Sequence, residues 1–176
     1  MIDYADSIKF IVRGQSKKLS KLIPIHNSEK NFWLENSSKS FLRFAPFYSK
    51  FYKMMTRGVK DIRISGFILK KKHFQSIVSH TRNLEYLQLQ ECKIETSGAK
   101  FIDKNYKLKE IDLTNCGSPK NSDWVNNPEG FLSFLTAIER CSIKNPLKTI
   151  SFRKLDFIDE DIIDRFKNMG IELKHL

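Results

Sequence analysis

LEYLQLQECKIETSG, residues 84–98, places apolar side chains at Leu84, Leu87 and Leu89, then at Cys92 and Ile94, with Gly98 following. The same frame recurs on either side. Val59, Ile62, Ile64, Phe67 and Leu69 precede it; Leu108, Ile111, Leu113 and Cys116 follow; Leu147, Ile150, Phe152, Leu155 and Phe157 come last. The units start 25, 24 and 39 residues apart, the last step being one period plus an insertion. Identical internal spacing over several units marks a repeat built from one supersecondary element. A partial unit, Ile171 to Leu176, closes the chain 24 residues after Leu147.

Within each frame the alternation is that of a short strand, with every second side chain inward and the intervening ones outward. Such a strand cannot bury its apolar side alone, so successive units are expected to stack in parallel. The return segments carry apolar residues at helical spacing. Phe74, Ile77 and Val78 follow the first strand, and Ala99, Phe101 and Ile102 the second. Phe131, Phe134, Leu135 and Ile138 follow the third, entered through Asn127 as N-cap and Pro128 as first helical residue. Ile162, Ile163, Phe166 and Met169 follow the fourth, entered at Asp159 and stopped at Gly170. The expected fold is α/β: a short curved solenoid of parallel strands alternating with helices.

L-x-x-L-x-L-x-x-C-x-I with a glycine four residues on resembles the leucine-rich repeat, in its cysteine-containing and ribonuclease-inhibitor-like forms. Leu84 to Gly98 carries the likeness best, and Leu147 to Ile162 carries it with Leu155 in the cysteine position. The first unit departs from it with Phe67 there; the third departs after Cys116, where GSPKNSDWVNNPEG, residues 117–130, replaces a short link. The resemblance covers residues 58–176. It implies the solenoid fold and, for function, protein–protein interaction in general. Four units are few for such an array, which leaves a fragment or a short paralogue open as readings beside a complete chain.

Residues 1–57 do not share the repeat frame. From Phe41 to Met55 a broad aromatic face broken by Pro46 reads as helical, and the expectation is a helical cap over the first repeat. This segment holds 11 Lys/Arg against 4 Asp/Glu, a net of +7 out of +11 for the whole chain. Nucleic acid or an acidic membrane surface is therefore the alternative partner to protein, through the basic N-terminal third. No apolar run is long enough to span a membrane, and no secretory pattern precedes SIKFIV. The expected location is the cytoplasm, with the nucleus as alternative, and the expected state a monomer.

Candidate chemistry is sparse. Cys92, Cys116 and Cys141 show no C-x-x-C spacing and the four histidines are scattered, so neither a metal site nor a cofactor is expected. Cys92 and Cys116 fall on the inward set, where a thiol is inert. No nucleophile–base pair or phosphate loop stands out, and no catalytic residue is assigned. The outward positions form the candidate partner-binding surface: Asp61, Arg63 and Ser65; Tyr86, Gln88 and Gln90; Glu110, Asp112 and Thr114; Thr149, Ser151 and Arg153. Charge reversal at Arg63, Asp112 and Arg153 is expected to abolish capture without unfolding. Trp124, in the insertion, is a candidate loop anchor. The favoured function is a non-catalytic interaction module or adaptor. A weaker alternative is substrate recognition in a ubiquitin ligase, by resemblance to repeats that follow F-box segments, although residues 1–57 show no F-box pattern.

Overall fold

In the first two units the strand frame becomes a strand, a sharp turn and a second, shorter strand, and the third repeats the strand and the turn. The computed structural model describes residues 59–81, 83–95, 97, 107–117, 128–141, 147–153 and 158–176, with the backbone of three strands before them. In chain order the strands are β1 (Ser7–Val12), β2 (Asn31–Asn36), β3 (Leu42–Arg43), β4 (Asp61–Ser65), β5 (Phe67–Leu69), β6 (Tyr86–Gln90), β7 (Lys93–Ile94), β8 (Glu110–Asp112), β9 (Thr149–Phe152) and β10 (Glu172–His175). The helices are α1 (Lys71–His80), α2 (Pro128–Cys141) and α3 (Glu160–Asn168).

The main sheet runs β1-β2-β4-β6-β8-β9-β10, and every pairing in it is parallel. Five of these strands, from β4 to β10, carry the described side chains. Ile62, Leu87, Ile111, Ile150 and Leu173 lie in one register row. All five are buried, as are Ile64, Leu89 and the lead residues Val59, Leu84, Leu108 and Leu147. β3, β5 and β7 form a second parallel sheet, which a bridge from Lys93 to Gly117 extends toward the next unit. Phe67, Leu69, Cys92 and Ile94 bury themselves from this side.

The turn between the two strands falls on Gly66, Glu91 and Asn115, all with positive φ (79°, 50° and 55°). They stand at equivalent positions of the frame, so the left-handed kink repeats with it. The Gly66 N–H donates to Gln90 O at 3.2 Å and the Glu91 N–H to Thr114 O at 3.0 Å, so each kink is tied to the next unit.

The helices close the core on the faces their spacing predicts: Phe74, Ile77 and Val78 from α1, and Phe131, Phe134, Leu135 and Ile138 from α2. From α3, Ile162 and Phe166 are buried, with Ile163 and Met169 packed against the core. Asp159 caps α3 by accepting from the Ile162 N–H at 2.9 Å. Gly170 ends it at φ +74°, with Gly170 N–H to Lys167 O and Ile171 N–H to Phe166 O, both 2.9 Å, the paired bonds of a Schellman stop. The expected helix at Ala99, Phe101 and Ile102, together with Asn127, Leu155 and Phe157, lies outside the described residues.

In the N-terminal segment most of the stripe that carried the expected helical cap lies outside the described residues. The segment's described residues are the strands β1, β2 and β3, and the main sheet continues through them into β4. Ile8 and Phe10 pair in register with Phe32 and Leu34, which pair with Ile62 and Ile64. The period-two alternation is present in both strands. The lead position three residues earlier is Ala5 in one and Glu29 in the other, so the signature that flags the later strands is missing. The rest of the aromatic stripe from Phe41 to Met55 lies outside the described residues, Leu42–Arg43 excepted.

Candidate binding surface

The outward strand positions assemble into register rows. Asp61, Tyr86, Glu110, Thr149 and Glu172 form one; Arg63, Gln88, Asp112, Ser151 and Lys174 form the next; Ser65 and Gln90 begin a third. Arg153 follows β9 and is exposed, and Thr114 follows β8. The rows also include positions that the strand frame does not reveal. Trp33 of β2 stands opposite Arg63, and Lys9 of β1 opposite Trp33. Glu172 and Lys174 lie at the other end. The signal for Trp33 is the alternation of Phe32 and Leu34 around it. Trp124 lies outside the described residues.

Two polar clusters fix this surface. Arg63 Nη2 donates to Asp61 Oδ2 at 2.9 Å and its Nε to both carboxylate oxygens at 3.1 and 3.2 Å, while the guanidinium carbon sits 5.2 Å from the Tyr86 ring centroid. The fork and the stacking hold a long side chain in one orientation, the carboxylate raising the Arg63 pKa further above its ordinary value. Tyr86 is pushed up to about 12, first by burial and then by the charge of Asp112, so its phenol stays neutral. In the second cluster Gln88 Nε2 donates to Asp112 Oδ2 at 2.8 Å, and the Thr114 N–H and hydroxyl both donate to Asp112 Oδ1.

Asp112 and Ser151 are only 5% and 2% exposed. They are therefore not the open contact residues that alternation alone predicts. A carboxylate this deep that accepts three bonds organises its neighbours, and reversing its charge would break the face itself. Asp61, Arg63, Ser65, Tyr86, Gln88, Gln90 and Glu110 are half-buried.

At the strand entrances a file of charges follows the same period. Glu85 bonds Lys60 Nζ at 3.0 Å and Lys109 Nζ at 2.7 Å, which hold its carboxyl down at about 2, Lys109 contributing most. Lys148 occupies the next position in that file.

The thiols face the other way. Cys92 Sγ donates to Ile64 O at 3.3 Å, and Cys116 Sγ makes the equivalent bond to Leu89 O, each reaching the preceding strand. Burial pushes Cys92 up to about 12 and holds Cys116 well above its ordinary value. Both are protonated structural groups. Among the described residues no three His, Cys, Asp or Glu side chains converge on a metal-sized site, and no helix is long and apolar enough to cross a membrane. Compared with known proteins, the chain matches no family model and no curated protein.

Proposed function

We propose that the chain is a short leucine-rich-repeat-type solenoid acting in the cytoplasm as a non-catalytic protein-interaction module or adaptor. Its recognition surface is the polar face of the main sheet, centred on Arg63, Tyr86 and Gln88. The observation that carries this reading is the immobilised Arg63–Asp61–Tyr86 group beside the Gln88–Asp112–Thr114 network. Side chains already held in place lose little entropy when a partner binds. Arginine and tyrosine are also the residue types that concentrate binding energy. The mixture of Asp61, Arg63, Glu110 and Arg153 suits a partner with both signs of charge better than a polyanion.

The test is capture from an extract of the source cell, with and without nuclease. The wild-type chain is compared with an Arg63→Glu/Gln88→Ala/Arg153→Glu variant, which leaves the buried Asp112 intact. A discrete set of proteins that survives nuclease and is lost with the variant is expected. A catch that disappears with nuclease and ignores the variant would overturn the reading and move binding to the basic N-terminal third, the alternative that charge suggests.

A further inference from the structure

The first and third residues of a main strand share the polar face. On β4 they are Asp61 and Arg63, and the fork between them neutralises the pair. On β8 the same two positions, in the same register rows, hold Glu110 and Asp112. Asp112 is met by neutral donors, the Gln88 amide and the Thr114 N–H and hydroxyl. The Glu110 carboxylate makes no hydrogen bond or ion pair among the described residues. Tyr86 of β6 lies level with both acids, between Asp61 and Glu110.

We propose that Glu110 takes an arginine side chain of the protein partner, as Asp61 holds Arg63 two strands away. This rests on the interaction-module reading and names the chemistry that the face selects. A guanidinium meets a carboxylate with two parallel donors, where an ammonium meets it as a point charge. Thr149, half-buried and level with Glu110 on β9, has a hydroxyl that can accept a further guanidinium N–H. Glu110 is itself half-buried, so salt screens a pair formed there less than one at a fully exposed carboxylate.

The neighbours of Glu110 decide what carries the arginine. Lys109 and Lys148, both exposed, stand side by side at the strand entrances, the Lys148 N–H donating to Lys109 O at 2.7 Å. Lys109 is tied to Glu85, and the Lys148 side chain makes no ion pair among the described residues. A run of basic residues laid on Glu110 would meet these two lysines and be repelled. A polyanion would in turn meet Glu110 and the charge of Asp112. The fitting segment carries a single arginine beside an acidic residue, the acid toward Lys148.

Carboxyl and amide NMR spectra of the full chain, titrated with the blocked tripeptides Gly-Arg-Asp, Gly-Lys-Asp and Gly-Arg-Arg, test this. Gly-Arg-Asp is expected to give saturable shifts at the Glu110 carboxyl and the Tyr86 and Thr149 amides. The other two peptides bind several-fold more weakly, and Glu110→Gln weakens Gly-Arg-Asp about tenfold or more. Unchanged amide shifts elsewhere in that variant show that the fold is kept. No saturable shift with Gly-Arg-Asp, or an equal response at the exposed Glu160, would overturn the proposal. So would either other peptide binding as tightly, or a Glu110→Gln chain that binds as the wild type does. The two readings fail separately. Capture that ignores the Arg63→Glu/Gln88→Ala/Arg153→Glu variant counts against the interaction module, whereas these titrations count only for or against the arginine at Glu110.

Discussion

His73 lies on the buried side of α1, 1% exposed, and its Nδ1 accepts the Lys70 N–H at 3.2 Å. An accepting nitrogen requires a neutral ring, and burial, reinforced by the charges of Lys72 and Lys70 against that of Glu95, brings its pKa down to about 4. The unfolded chain binds a proton near 6.5, so from there down to about 4 the unfolded state takes up a proton that the folded state refuses. Stability therefore falls as pH falls through that window and levels off below it, a loss on the order of 3 kcal/mol. Denaturant melts of wild type and His73→Gln at intervals from pH 7.5 to 4 check this, the shared carboxylate titrations cancelling in the difference. Parallel profiles for the two proteins would refute it. At Asp112 the expected loss is geometric. Asp112→Ala strands the Gln88 amide and both Thr114 donors, and should cost about 2–3 kcal/mol in the same melts. An effect within a few tenths would mean that water replaces the carboxylate.

At the scale of the element, the left-handed turn sets how each main strand hands over to the short strand beyond it. Glycine accepts φ +79° at Gly66 without strain, and Asn115 tolerates the region better than most residues, but Glu91 does not. Glu91 is exposed, so its side chain offsets little of that cost. Glu91→Asn is expected to raise stability by about 0.5 kcal/mol, and Asn115→Ile to lower it by about 1–2 kcal/mol. Thermal melts showing the opposite order would mean that the kink is not held by these residues. The strands themselves were legible because Leu84, Leu87 and Leu89 repeat a spacing that only a stacked strand explains, and α3 because Asp159 and Gly170 bracket an apolar stripe. The kinks were not legible. Glutamate gives no turn signal at position 91, and only comparison with Gly66 and Asn115 in register exposes it. Asp112 was legible as an outward residue but not as a buried one, since alternation reports which face a side chain takes and not what covers it.

For the whole molecule, strand order follows chain order, so contacts between strands are between neighbours. The N-terminal strands extend this plan through Phe32 and Leu34, which escaped recognition because Ala5 and Glu29 stand where the lead leucine belongs. In the repeat array proposed above, stability is a sum of local terms and neighbour interfaces, and a strand paired on both sides has two interfaces where a strand paired on one side has one. Ile111, fully buried in β8 between β6 and β9, should lose about 3–4 kcal/mol on replacement by alanine. Leu173, 8% exposed in β10, should lose about 2 kcal/mol or less, because it packs against one neighbour and the site can relax toward solvent. Amide hydrogen exchange extends the comparison to the backbone: β6 and β8 should open last, β10 first among the described strands of the main sheet. Equal protection from β4 to β10, with equal costs at Ile111 and Leu173, would mean that the sheet opens as one cooperative unit, and that neighbour-to-neighbour stacking does not govern its stability.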